Sequence, residues 1–364
     1  MTSTSTIWNT IDDIAAISSL ITGKRPVNEA AVPKFLYDVV ANETCGIDTD
    51  RFDYIARDVY NVGLQTSYGF DHQRLMKFAK VIDDNICFHQ KEFFNVYHLF
   101  LTRFQLHRTV YNHKAAIGID GMMADILALA NKELKISESI NDPGKFLSMS
   151  DTILHYIEFS TSANLKTARD LVHRLRRRDL YSFVDETLLP SSFFQHGGHI
   201  TAEDITTNQN TGGINLVPDD IKVSIVTLNF GMKNKNPVDS VKFFKDWNHA
   251  VPINISSSKV SYVIPKIFEE KICRIYLRRS RTDDNWMQYK KAAKVAFRNF
   301  MRRNDLAPAT PSPSPPNEAS SSPTTPESTN GNESIEEEFP NKKKCPVALT
   351  NGDALNGTKF TMKF

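Results

Sequence analysis

The sequence predicts a mainly α-helical chain with an α+β lobe at its C-terminal side and a disordered tail. Three observations carry this. Apolar residues recur at helical spacing through much of residues 34–178. From about residue 180 the pattern changes to short β-branched and aromatic runs. Beyond residue 306 the composition turns to Pro, Ser, Thr, Asn and Glu, which bury too little apolar surface to offset chain entropy.

Helical periodicity covers about 34–42, 50–62, 71–83 and 91–133. The last stretch is long for one helix, so a break is expected near Gly118 or Gly121. Two more helices are expected over 149–158 and 163–178, the second with Leu165, Ala168, Leu171, Val172 and Leu175 on one face. Strands are expected over 180–184, 221–230, 241–244 and 273–277. A last helix over 284–304 ends strongly basic. The chain thus divides into an N-terminal segment 1–21, a helical domain 22–178, an α+β lobe 179–305 and a tail 306–364.

The tail has nine prolines between Pro308 and Pro346. Thr310, Ser312, Ser314, Ser322 and Thr325 each precede one, which fits proline-directed phosphorylation and an inert tail equally well. Lys342, Lys343 and Lys344 form a short cluster of the kind that directs proteins to the nucleus.

About 40% of residues are hydrophobic, enough for a sizeable core. Forty-four basic residues nearly balance 42 acidic ones, so bulk charge names no partner and local clusters must carry any electrostatic argument. Cys45, Cys87, Cys273 and Cys345 are scattered with no CxxC spacing, which fits free thiols in a reducing compartment. The N-terminal stretch lacks a basic region and carries Asp12 and Asp13, unlike a signal peptide. No apolar run reaches membrane-spanning length, so no membrane partner is expected. A Walker loop, a nucleophile elbow and an HExxH pair are all absent from the sequence.

Three constellations could carry chemistry. In GIDTDRFDYIARD, Asp50, Tyr54 and Asp58 recur every four residues and so share a helix face, with Arg51 adjacent. Carboxylates there could bind a metal or orient a water, and Tyr could stack or bond an anion. In LTRFQLHRTVYNHK, Arg103, His107 and Tyr111 form a second stripe that Lys114 extends. Arg offers a fork for phosphate oxygens and His a group that titrates near neutral pH. The third is HRLRRR at 173–178, with Arg278, Arg279, Arg281, Arg302 and Arg303 beyond it, a pattern that suits phosphate or nucleic acid. Spacing alone favours a plainer reading of each as a solvated face or a charged helix end. His196-Gly-Gly-His199 has no third ligand nearby and reads as a loop.

At these residues the chain resembles the SAM-and-HD-domain deoxynucleoside triphosphate triphosphohydrolases. Five blocks occur in the family's order: FLYDVVANETCGIDTDRFDYIARD, FDHQRLMKFAKV, NVYHLFLTRFQLHRTVYNHK, RRRDLYSFV and NFGMKNKNPVDSV. They span roughly residues 22–300, matching the family's C-terminal two-thirds. The resemblance implies a partial HD-type helical core followed by a small mixed lobe. It implies dGTPase-like hydrolysis of a dNTP to deoxynucleoside and triphosphate, with a divalent metal ion at the phosphates. Asp50 falls where the family has its last metal-binding Asp. Substrate contacts map onto Asp48, Arg51, Tyr54, Asp58, Arg103, His107, Tyr111 and Asn112. Arg51 stands where the family commonly has Lys, and Asn112 where it has Gln.

The family is also activated by GTP or dNTP bound between subunits of a tetramer. The matching positions are Arg74, Phe78, His89, Lys91, Asn95, His113, Lys114, Arg178, Leu180 and Lys235. His89 replaces an Arg and Ser182 a Lys, which implies weaker or altered activator binding. None of the ten histidines is followed by Asp, so the family's His and His-Asp metal ligands have no match and the isolated chain is expected to be inactive or weak. The alternatives are a non-catalytic nucleotide-binding or oligomerisation module, and a module that binds single-stranded nucleic acid. A nuclear location is expected.

Overall fold

A computed structural model describes residues 11–25, 32–64, 70–190, 192–193, 198–248, 251–255 and 264–306. The tail from residue 307, with its Ser/Thr-Pro pairs, Lys342–Lys344 and Cys345, lies outside them, as does His196.

In chain order the helical half comprises α1 (Ile11–Thr22), α2 (Lys34–Val40), α3 (Thr49–Asn61), α4 (His72–Lys77), β1 (Ala79–Ile82), β2 (Asn85–His89) and α5 (Phe93–Leu106). It continues through α6 (Lys114–Leu134), α7 (Ile136–Ser139), α8 (Pro143–Leu147), α9 (Ile153–Phe159) and α10 (Lys166–Arg176). Then come β3 (Ser182–Leu189), α11 (Ala202–Thr206), β4 (Ile221–Asn229), β5 (Lys242–Phe244), β6 (Glu269–Leu277) and α12 (Trp286–Arg303). The class is the mainly α architecture with a small mixed lobe that the sequence predicts. None of the described helices is long and apolar enough to cross a membrane.

Two three-stranded sheets organise the β residues. In the first, β1 pairs antiparallel with β2, and β2 pairs parallel with β5. The pairing of Phe88 with Phe243 brings the chain after β4 back to the helical half. There Phe230, Val238, Phe243 and Phe268 share one core with Ile55, Leu75, Val96, Leu99, Phe100 and Leu106. The second sheet runs β3-β6-β4, all antiparallel, with β6 central. Successive β6 side chains point to opposite faces. Cys273, Ile275 and Leu277 pack on Ala293, Ala296, Phe297 and Phe300 of α12. Tyr276 packs with Met122 and Ile126 of α6 on the other face. The sheet is therefore covered by a helix on each side.

Four local expectations need correction. The helix expected over 71–83 ends at Lys77, and residues 79–89 form a hairpin. Asp83 and Asp84 both have positive φ, 47° and 57°, which matches the right-handed twist of a two-residue hairpin turn. The KFAKVI run fits either period, and the Asp-Asp turn decides it. Second, the helix expected over 91–133 breaks at 107–113, with both glycines inside α6. Gly118 is there for close packing: a Cβ would lie 3.3 Å from the Tyr181 carbonyl and 3.4 Å from the Tyr276 ring. Gly118→Val is accordingly expected to destabilise by about 1–3 kcal/mol in urea titrations, whereas a helix break at this point would tolerate it. Third, α7 and α8 fill a stretch where no helix was expected. Fourth, the strand expected over 180–184 starts at Ser182 and continues to Leu189.

Cys45, Cys87 and Cys273 are free and buried.

Candidate functional site

Two helices meet to build the site. Asp48 caps the N-terminus of α3, its side chain accepting the Arg51 backbone N–H at 3.0 Å. Ile55 and Val59 turn one face of α3 into the core, leaving Arg51, Tyr54 and Asp58 half-buried along its edge. α5 carries Arg103, then widens into a π turn over His107–Tyr111. An α-helix drifts by about 80° over eight residues. The π turn advances fewer degrees per residue, so it keeps Tyr111 in line with Arg103 and His107.

The two stripes touch. The Tyr111 hydroxyl donates to Asp58 Oδ2. The Tyr54 and Tyr111 rings lie 6.4 Å apart, and His107 meets Tyr111 edge-on at 5.0 Å. Arg103 Nη1 donates to the Asn229 carbonyl at 2.8 Å, with Tyr54 beside it. The Arg51 guanidinium lies 5.7 Å from the centre of the Phe100 ring. It fits between Gly46 and Gly231, both at positive φ, where a Cβ would stand 3.0 and 3.1 Å from Nη1. Arg51 Nη1 and Arg103 Nε are buried without a hydrogen-bond partner.

The electrostatics follow from this crowding. Burial, and then the Arg103 and Arg51 charges, push the His107 pKa down to about 4, so its imidazole is neutral at physiological pH. Burial lowers the Arg103 pKa, with Tyr54 opposing and Arg51 adding to the shift. Burial and the bond to Asp58 raise the Tyr111 pKa, so the phenol keeps its proton. Two guanidiniums, a neutral imidazole and two phenols together favour an anion with a flat or sugar-like body.

The depressed His107 value sets an acid limb. Its folded pKa of about 4 lies below the ordinary 6.5, so it contributes stability above pH 6.5 that is lost as pH falls toward 4. His107→Gln is expected to flatten the fall in urea midpoint between those two pH values. Parallel acid limbs in the two proteins would count against a buried neutral His107.

Other substrate-matching residues sit differently. Asn112 folds back, its Nδ2 donating to the His107 carbonyl at 2.9 Å. Asp50, which matches the family's metal-binding Asp, is exposed in the first turn of α3, outside the contacts that join Tyr54, Asp58, His107 and Tyr111. Among the described residues no group of three or more His, Cys, Asp or Glu side chains could hold a metal ion. One exposed carboxylate does not make a divalent-metal centre.

The activator-matching positions form separate groups. Glu92, 1% exposed, accepts from Arg74 Nε at 2.8 Å and from Asn95 Nδ2 at 3.1 Å. Arg74 lies 5.0 Å over Phe78, Phe78 meets His89 edge-on, and His89 Nδ1 accepts the Lys91 backbone N–H at 3.1 Å. His113 caps α6, and Lys114 Nζ lies 4.8 Å over the Phe183 ring. Arg178 and Lys235 are exposed and Leu180 is half-buried. Buried Ser182 accepts from Arg281 Nε at 3.4 Å. Many of the clustered arginines are already paired: Arg174 with Asp179, Arg176 with Glu158, Arg278 with Asp125, and Arg279 with Asp220.

Sequence reasoning missed Glu92, Asn229, Gly231 and Arg274. Arg274 had a usable signal, a lone charge inside the apolar run ICRIYL. The others contribute a backbone carbonyl, a missing Cβ or a buried partner, which no spacing rule marks.

Residues 70–186 match the family model of the HD associated region. The chain is 38% identical over 297 residues to the deoxynucleoside triphosphate triphosphohydrolase SAMHD1 homolog of Dictyostelium discoideum, covering 82% of this chain and 55% of that protein. It is 33% identical over 324 residues to SAMHD1 of Bos taurus, covering 81% and 54%, and 32% identical over 301 residues to that of Homo sapiens, covering 74% and 47%. The chain is therefore similar to the SAMHD1 proteins over its matched span, and it spans about half the length of these curated relatives.

Proposed function

We propose that this chain binds a deoxynucleoside triphosphate between α3 and α5, as part of a triphosphohydrolase that releases deoxynucleoside and inorganic triphosphate. The observation that carries this reading is the pair of unpartnered buried nitrogens, Arg51 Nη1 and Arg103 Nε, beside Tyr54, His107 and Tyr111. The guanidiniums would meet phosphate oxygens, and neutral His107 would hydrogen-bond without adding charge. The tyrosine rings would pack on the sugar or base, with Asp58 fixing the Tyr111 hydroxyl. The names of the relatives support the same substrate class.

A divalent metal would supply charge neutralisation at the phosphates, and of the family's metal-binding positions only Asp50 has a match in this sequence. The chain's own part is to bind and orient. The Arg74–Asn95 group and the Lys114 group are proposed to take an activating GTP or dNTP in a homo-oligomer, within the nucleus. The test is to incubate the purified chain with dGTP, GTP and Mg²⁺ or Mn²⁺. Saturable dGTP binding with little triphosphate release is expected. Failure to bind dGTP would refute the proposal.

A further inference from the structure

Arg274 is buried at the centre of the second sheet, 6% exposed, where an apolar side chain would be ordinary. Its Nε donates to Glu186 Oε2 at 2.7 Å, the residue directly opposite it on β3. Its Nη1 donates to the carbonyl of Asn112. Asn112 closes the π turn: its backbone N–H and its side-chain amide both donate to the His107 carbonyl, each at 2.9 Å. Tyr276, on the same face of β6, donates from its hydroxyl to the Lys114 carbonyl at 3.0 Å. Two sheet side chains thus hold two carbonyls on either side of His113, at the junction of the π turn and α6.

This placement has a mechanical consequence. The direction of Tyr111 depends on the π turn persisting, because an ordinary α turn would swing it off the Arg103 stripe. A π turn is rare and occurs mostly as a single turn within an α-helix, so contacts from outside the helix can favour it over the ordinary α turn. Burying an arginine is costly unless each donor finds an acceptor, and here those acceptors are Glu186 and the end of the turn.

We propose that Arg274, held by Glu186, is a positioning residue that keeps the π turn wound and so aims Tyr111 and His107 at the nucleotide. The proposal rests on the reading that the α3–α5 cleft takes a dNTP. Arg274 touches no proposed substrate atom and acts through the Asn112 carbonyl.

The test compares the full chain with Arg274→Met, Glu186→Gln and Glu186→Ala by amide hydrogen exchange and dGTP titration. Arg274→Met is expected to raise exchange across 107–114 by about tenfold, with α12 unchanged, and to weaken dGTP binding by about tenfold, as for one lost charge-assisted hydrogen bond. Glu186→Gln keeps an acceptor and should stay near wild type, whereas Glu186→Ala should follow Arg274→Met. In a Tyr111→Phe background the effect of Arg274→Met on dGTP binding should largely vanish, as coupled residues require. A uniform rise in exchange that includes α12, or full additivity with Tyr111→Phe, would overturn the proposal. If Arg274→Met does not fold, unchanged exchange at 107–114 in Glu186→Ala overturns it equally. Should the wild-type chain bind no dGTP, the functional reading fails, and local exchange at 107–114 still decides whether Arg274 holds the turn.

Discussion

Arg103→Ala is expected to weaken dGTP binding by about 100-fold, measured by titration calorimetry at fixed ionic strength. Arg103 is held by the Asn229 carbonyl with its Nε unpartnered, so it enters the complex already oriented. Losing it removes a charge-assisted contact at little change in ordering cost. Arg108→Ala is the matched control. That residue is exposed and pairs with Glu270, so less than about twofold is expected. Equal losses in the two variants would mean that a diffuse positive field, rather than a formed site, holds the nucleotide.

Phe100→Ala is expected to lower unfolding free energy by about 3–5 kcal/mol in urea titrations. Phe100 is 0% exposed and belongs to the core joining α3 and α5 to Phe230, Val238, Phe243 and Phe268. Its ring also lies under Arg51, so the cavity would loosen the guanidinium as well as the core. Tyr60→Ala, at 70% exposure on α3, should change stability by less than about 0.5 kcal/mol. A small effect at Phe100 would mean that the two stripes are not mounted on one rigid core.

The class was legible because α3 and α10 are strongly periodic and β4, β5 and β6 are rich in β-branched and aromatic residues. The β1–β2 hairpin was not, because AKVI and NICFH are short and also fit a helical repeat. The π turn was invisible for a different reason. Its residues, HRTVY, have nothing that forbids an α-helix, and contacts from β6, more than 160 positions away, hold the turn's end. The stripes were legible as spacing, but that they face each other depends on the Tyr111–Asp58 bond between separate helices. Asp50 shows the limit of spacing: it keeps the four-residue repeat with Tyr54 and Asp58 yet stays exposed. Gly118 misled because glycine inside a helix marks either a break or a close approach, and only the Tyr181 and Tyr276 contacts decide which.

The most direct measurement of the central claim is amide hydrogen exchange of the full chain with and without saturating dGTP. Protection of residues 48–58 and 103–112 together, at the same dGTP concentration, is the predicted result. Protection confined to one of the two segments, or absent from both, would contradict a shared nucleotide cleft between α3 and α5.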